Sequence, residues 1–136
     1  MALLATDPVC FARNVDGDLT FPLRLASGIE AVAIGVRSRL LLFAGEWFLD
    51  LDAGIPYLPS VDGSNAVSER AAILGQRFDE TKTRAAFRRE ILSAPGVVAL
   101  PLLQITFDGP TRRLAIAWRA QTLFGDTSQD LLELTI

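Results

Sequence analysis

The chain contains no histidine. That absence excludes mechanisms that need an imidazole: Ser-His-Asp triads, Cys-His dyads and histidine-ligated zinc. Cys10 is the single cysteine, so neither an intrachain disulfide nor a Cys-x-x-Cys site can form. A reducing compartment is the simple expectation, and Cys10, set in an apolar run, reads as a packed thiol rather than a nucleophile. Of 13 basic residues only Lys82 is lysine. The arginine excess fits a GC-rich genome better than a partner surface built for planar guanidinium groups. A surplus of positive charge is missing too: the net charge is −3, which disfavours a nucleic-acid partner. The longest aliphatic run, Leu40–Ala44, is far short of the ~20 residues that span a bilayer. The opening residues lack a basic n-region, and Asp7-Pro8 interrupts them early. The expectation is a soluble chain, not secreted by a standard route, with no membrane partner. No P-loop or dinucleotide fingerprint is present, and no cofactor is expected.

What is present is ample apolar material. Half of the 136 residues are hydrophobic and 21% are charged, a folded composition rather than a disordered one. The length predicts one domain over residues 1–136, with extended N- and C-terminal arms. Val9-Cys10-Phe11 reads as a strand and Asn14-Val15-Asp16-Gly17 as a turn. Leu19, Phe21, Leu23 and Leu25 alternate with Thr20, Pro22, Arg24 and Ala26, the period of a half-buried strand. Pro22 cannot donate to a ladder, so that strand belongs at an edge or a bulge.

Ser27 is placed to cap a helix whose apolar stripe is Ile29, Val32, Ala33, Val36 and Leu40, ending at Gly45. Ile34 and Leu41 fall off the stripe and give the helix a second apolar side, which needs a partner in the fold or in another subunit. Glu46–Asp52 reads as a second strand, with Trp47, Leu49 and Leu51 on one face and Glu46, Phe48, Asp50 and Asp52 on the other. Residues 58–66 read as loop and Val67–Phe78 as a short helix broken by Gly75. Asp79 caps a further helix to about Ser93, stopped by Pro95-Gly96. Val97–Phe107 is a long strand, Asp108–Thr111 turns it back, and residues 113–119 alternate. Residues 129–136 form a last strand. The class is α+β: a mixed or antiparallel sheet with two main helices packed on it.

Three clusters invite chemistry. Asp50 and Asp52 on one strand face would lie about 7 Å apart, which is permissive for a carboxylate pair; a lysozyme-like peptidoglycan hydrolase using Glu46 with Asp50 or Asp52 is the enzymatic alternative. A solvated strand face explains the same acids more simply. The run from Asp50 begins like a calcium loop and fails at Ile55–Leu58, so no metal site is expected. Arg84, Arg88 and Arg89 suit an acidic partner, although Asp79, Glu80 and Glu90 nearly balance them and a solvated helix face suffices. Trp47 and Trp118 sit on apolar faces, fit first for a core and second for an interface anchor.

The segment Gly28–Asp50, followed by Gly54-Ile55-Pro56-Tyr57, resembles the contractile-tail baseplate wedge family. This is the lysozyme-like small wedge protein of tailed phages, also called the sheath initiator (GPW type, with a Mu-like branch). Asp16-Gly17-Asp18-Leu19 upstream, and Ile73-Leu74-Gly75 and Arg89–Val97 downstream, fit the same pattern, so the likeness runs over residues 9–107. The resemblance implies a fold similar to the core of tail sheath proteins. It also implies a structural, non-enzymatic role in the virion tail baseplate, around the tube, after assembly in the host cytoplasm. The implied partners are other wedge proteins, tail sheath and tube or hub proteins, in multiple copies around a symmetric ring. Two features depart from the family. The Glu-Pro-Arg triad of some members is represented only by Arg89-Glu90-Ile91 and is not carried over, and Ile34 stands where relatives often have glutamine. The interface candidates are therefore Ile34, Leu41, Trp47, Arg84, Arg88 and Arg89, with Leu132, Leu134 and Ile136 on a terminal strand able to pair with a neighbouring chain.

Overall fold

Strand β4 (Arg113–Thr122) organises the molecule, because its residues alternate between a buried and an open side along its whole length. The computed structural model describes residues 9–14, 16–58, 72–74 and 77–135. Three strands are ordered around β4, all antiparallel to it. β3 (Val97–Asp108) pairs along one side; β5 (Gly125–Asp126) and β6 (Asp130–Thr135) share the other. The β3–β4 hairpin closes at Asp108–Arg112, where the Thr111 hydroxyl donates to Asp108 Oδ2 at 2.6 Å. The register of β3 slips twice between Val97 and Leu102. Pro101, which has no N–H to offer the ladder, lies in that stretch. A second, two-stranded antiparallel ribbon joins β1 (Val9–Phe11) to β2 (Leu25–Ser27).

Two helices bury the sheet's inner face. α1 (Gly28–Leu41) contributes Val32, Val36 and Leu40, and α2 (Glu80–Ser93) contributes Phe87 and Ile91. They meet Leu114, Ile116, Trp118 and Ala120 of β4 and Leu132 of β6 in the main core. α2 starts where its cap predicts: the Asp79 carboxylate accepts the Lys82 backbone N–H at 3.1 Å. Ser27 occupies the cap position of α1, but its side chain makes no capping hydrogen bond. The structure is the expected α+β fold.

Three expectations are corrected. α1 stops at Leu41 rather than running to Gly45, because Leu42 turns extended and its carbonyl accepts the Ile55 N–H at 2.9 Å. Residues 46–52 form no strand. Their backbone bonds close on themselves, Glu46 N–H to Phe43, Asp50 N–H to Trp47 and Ala53 N–H to Asp50, which makes turns in place of a ladder. Residues 19–26 form no continuous strand either: Leu19 makes an isolated bridge to Arg13, Phe21 and Pro22 bend, and only Leu25 and Ala26 join a strand. The expected helix over 67–78 lies largely outside the described residues. Ile73 and Leu74, which are described, donate their N–H groups to the Pro56 and Tyr57 carbonyls instead.

The second apolar side of α1 has its partner within the fold at Ile34, while Leu41 is exposed. Ile34 packs under the β1–β2 ribbon beside Cys10, with Ala12, Ala26 and Ala31 forming a small satellite core. The ribbon's outward side stays bare: Val9, Phe11 and Leu25 are exposed.

Candidate functional site

The acids singled out in the sequence lie in the turns after α1. Phe43 N–H donates to Glu46 Oε2 at 3.4 Å, and Asp52 N–H donates to Asp50 Oδ1 at 3.2 Å. All three carboxylates are exposed. Asp50 and Asp52 border a recess of about 530 Å³ together with Arg39, Arg89 and Glu90. The recess is open to solvent and its lining is largely charged. Without a strand there, the expected shared face of Glu46, Asp50 and Asp52 does not form.

The residue that sequence reasoning passed over is Glu90. It is buried near the end of α2, in phase with Thr83, Phe87 and Ile91. That stripe is visible in the sequence and would have marked it as an inward-facing acid. Gly54 N–H donates to Glu90 Oε2 at 3.0 Å, Arg39 Nη1 reaches the same oxygen at 3.5 Å, and Arg89 lies 3.6 Å from Oε1. Arg39 also donates to the Ser93 hydroxyl, which in turn donates to the Glu90 carbonyl. Burial of a carboxylate is tolerable only with this kind of pairing. Gly54 itself sits at φ +99°, and a Cβ there would collide with the Leu42 carbonyl. A few residues on, the buried Tyr57 hydroxyl donates to the Leu40 carbonyl at 2.6 Å, and burial pushes its pKa up. Its ring packs between Phe43 and Phe87, at 5.0 and 6.2 Å between centroids. The loop after α1 is thus fastened to both helices.

The other candidates divide. Leu41 and Trp47 are exposed, at 51% and 45%. Arg88 and Arg89 are exposed, Arg89 leaning on Glu90. Arg84 is committed inside the chain: it donates to the Leu103 carbonyl at 2.7 Å and to Glu80 at 2.8 Å, tying α2 to β3. Leu132, at 5% exposure, is core, and Leu134 is partly buried against the same cluster. The register of β6 decides this, for Leu132 and Leu134 stand opposite the buried Ile116 and Leu114. Leu131, one residue out of phase, is the one that is exposed. Ile136 lies outside the described residues.

Among the described residues, exposed apolar side chains gather on the ribbon with Phe21 and Leu23 and on the loop carrying Phe43, Trp47, Phe48, Leu49 and Leu51. The far edges of β3 and β6 pair with no strand among the described residues. Among those residues no acid, histidine or cysteine cluster could hold a metal, and no helix is long and apolar enough to cross a membrane. No curated protein matches the chain. The family model of the contractile injection system sheath initiator matches residues 11–125, a span holding both helices, β2, the β3–β4 hairpin and the fastened loop. The chain belongs to the contractile injection system sheath initiator family and is a structural component of contractile tail assembly.

Proposed function

We propose that this chain is a non-enzymatic wedge subunit of the baseplate. It sits around the tube in multiple copies, contacts other wedge, tube and hub proteins, and presents the surface on which the first sheath ring forms. The observation that supports this reading is that the outer edges of β3 and β6 pair with no strand among the described residues. An open edge is a row of unpaired N–H and C=O groups ready to accept a strand from another chain. A ring of subunits gives each copy such a neighbour on either side.

The test is mass spectrometry of intact tail particles combined with crosslinking. The chain is expected at stoichiometric levels, with crosslinks from 97–108 or 130–135 to sheath or wedge proteins, across interfaces of at least about 1,000 Å². A protein that remains monomeric and is never found in tail particles contradicts the proposal.

A further inference from the structure

We infer that the loop Phe43–Leu51 is a pre-formed plug that seats in an apolar cleft bordered by lysine or arginine on a neighbouring tail protein. The inference rests on the reading of the chain as a tail subunit and adds the chemistry of one partner to it.

The loop's display is unusual for a surface turn. Phe48 and Leu49 are 81% and 68% exposed, with Trp47 and Leu51 beside them. A contiguous apolar patch of this kind marks a binding surface, and tryptophan at its centre is the residue type that most often dominates binding energy.

The loop is also held in shape before any partner arrives. Gly45 N–H bonds to the Leu51 carbonyl at 2.8 Å and Ala44 N–H to the Ile55 carbonyl at 2.9 Å, closing the loop at its neck. Glu90 holds the Gly54 N–H beneath it. Ordering a binding segment beforehand removes an entropic penalty from association. A loop with only a solvent-facing role has no need of such bracing around exposed phenylalanine and leucine.

Charge narrows the partner. From residue 40 to residue 58 the chain has Glu46, Asp50 and Asp52 and no lysine or arginine. The two arginines bordering the recess beside Asp50 and Asp52, Arg39 and Arg89, both lie against Glu90 instead. An apolar knob with acidic flanks is complemented by an apolar cleft with basic flanks. The described residues of a second copy offer a poorer match. The groove of about 920 Å³ along α1 carries Arg13 and Arg37 together with Glu30 and Asp130, two charges of each sign, and the smaller recess under the β1–β2 ribbon has Arg13 as its one charge, already donating to the Gly17 carbonyl.

The experiment places a photo-crosslinking benzoyl-phenylalanine at position 48 in assembled tail particles. Crosslinks are expected to a different tail protein, at a peptide where lysine or arginine borders apolar residues. Crosslinks to this chain, crosslinks to an acidic peptide, or none at all overturn the proposal. In parallel, Phe48→Ser and Leu49→Asp are incorporated into particles at competition with the native chain. Both sites are exposed, so thermal midpoints should match the native protein, while incorporation drops by roughly tenfold or more. Glu46→Arg should drop as well. If the native chain is present in particles and Phe48→Ser enters at the native level, the plug alone is wrong. If the native chain is absent from the particles, the tail-subunit reading fails and the plug falls with it.

Discussion

A buried carboxylate is the most consequential single residue in this chain. Glu90 is nearly inaccessible, yet it bonds the Gly54 N–H and pairs with Arg39 and Arg89. Glu90→Ala leaves a buried N–H and a partly buried guanidinium without their acceptor. Urea unfolding should show a loss of about 2–3 kcal/mol; an unchanged midpoint would show that the carboxylate holds nothing. Tyr57 adds a pH dependence. Its folded pKa is raised by burial above the ordinary phenol value of 10.0. The native state therefore keeps a proton that the unfolded chain gives up, so stability from this group is full below pH 10 and is lost as pH climbs beyond it. Chemical denaturation from pH 8 to 11 should show that decline, and Tyr57→Phe should flatten it. The inward phase of Glu90 was there to be read in its helical stripe, but the partner of neither residue was legible in the sequence. Tyr57 stood only in the short Gly54–Tyr57 stretch of the family resemblance, and Glu90 looked like one more charge balancing the arginines beside it. What each does depends on Leu40 and Gly54, 17 and 36 positions away.

Elements were readable where a local rule and the tertiary environment agree. α2 begins at an aspartate cap and ends before Pro95-Gly96, and the structure has it over Glu80–Ser93. Asp79→Ala should lower stability by about 1 kcal/mol, read from the urea midpoint, with the helix otherwise in place. A shift beyond about 3 kcal/mol would mean that the side chain does more than cap. β4 alternates as its sequence does, because one of its faces lies on the helices. Alternation at 19–25 and 46–52 carried the same signal without the same cause. In the first segment the outward phenylalanine and leucines meet no core; in the second the backbone bonds stay local. A period of two records which side chains would share a face if a ladder formed, and it holds no information on whether a partner strand exists. The second apolar side of α1 was a better guide: it called for a neighbour, and the β1–β2 ribbon is one at Ile34, while Leu41 remains open.

At the scale of the molecule, the core is complete while much of the surface is not. Trp118, Phe87, Leu114 and Ile116 are fully buried, yet Phe11, Phe21, Phe48 and Leu49 stand in solvent. The isolated protein should therefore bind the dye ANS while keeping a cooperative unfolding transition, and its sedimentation should show association that grows with concentration. Dye fluorescence no higher than that of an inert globular protein would indicate that these side chains are covered in solution. Membership of a tail-assembly family was readable from short sequence stretches between residues 9 and 107, and the family model spans 11–125. The surfaces that would face neighbours were readable only in part, since exposure is a property of the finished fold. Leu132 and Leu131 differ in nothing but their phase in β6.

That phase makes the last strand brittle to insertion. β6 is reached from β5 by only three residues, 127–129, and Thr127 is itself pinned: its N–H meets the Ala120 carbonyl and its hydroxyl accepts the Ala120 N–H. With so little slack, a single extra codon between Ser128 and Asp130 would turn the strand inside out, seating Leu131 and Glu133 where Leu132 and Leu134 belong and thrusting a carboxylate into the grease beside Leu114.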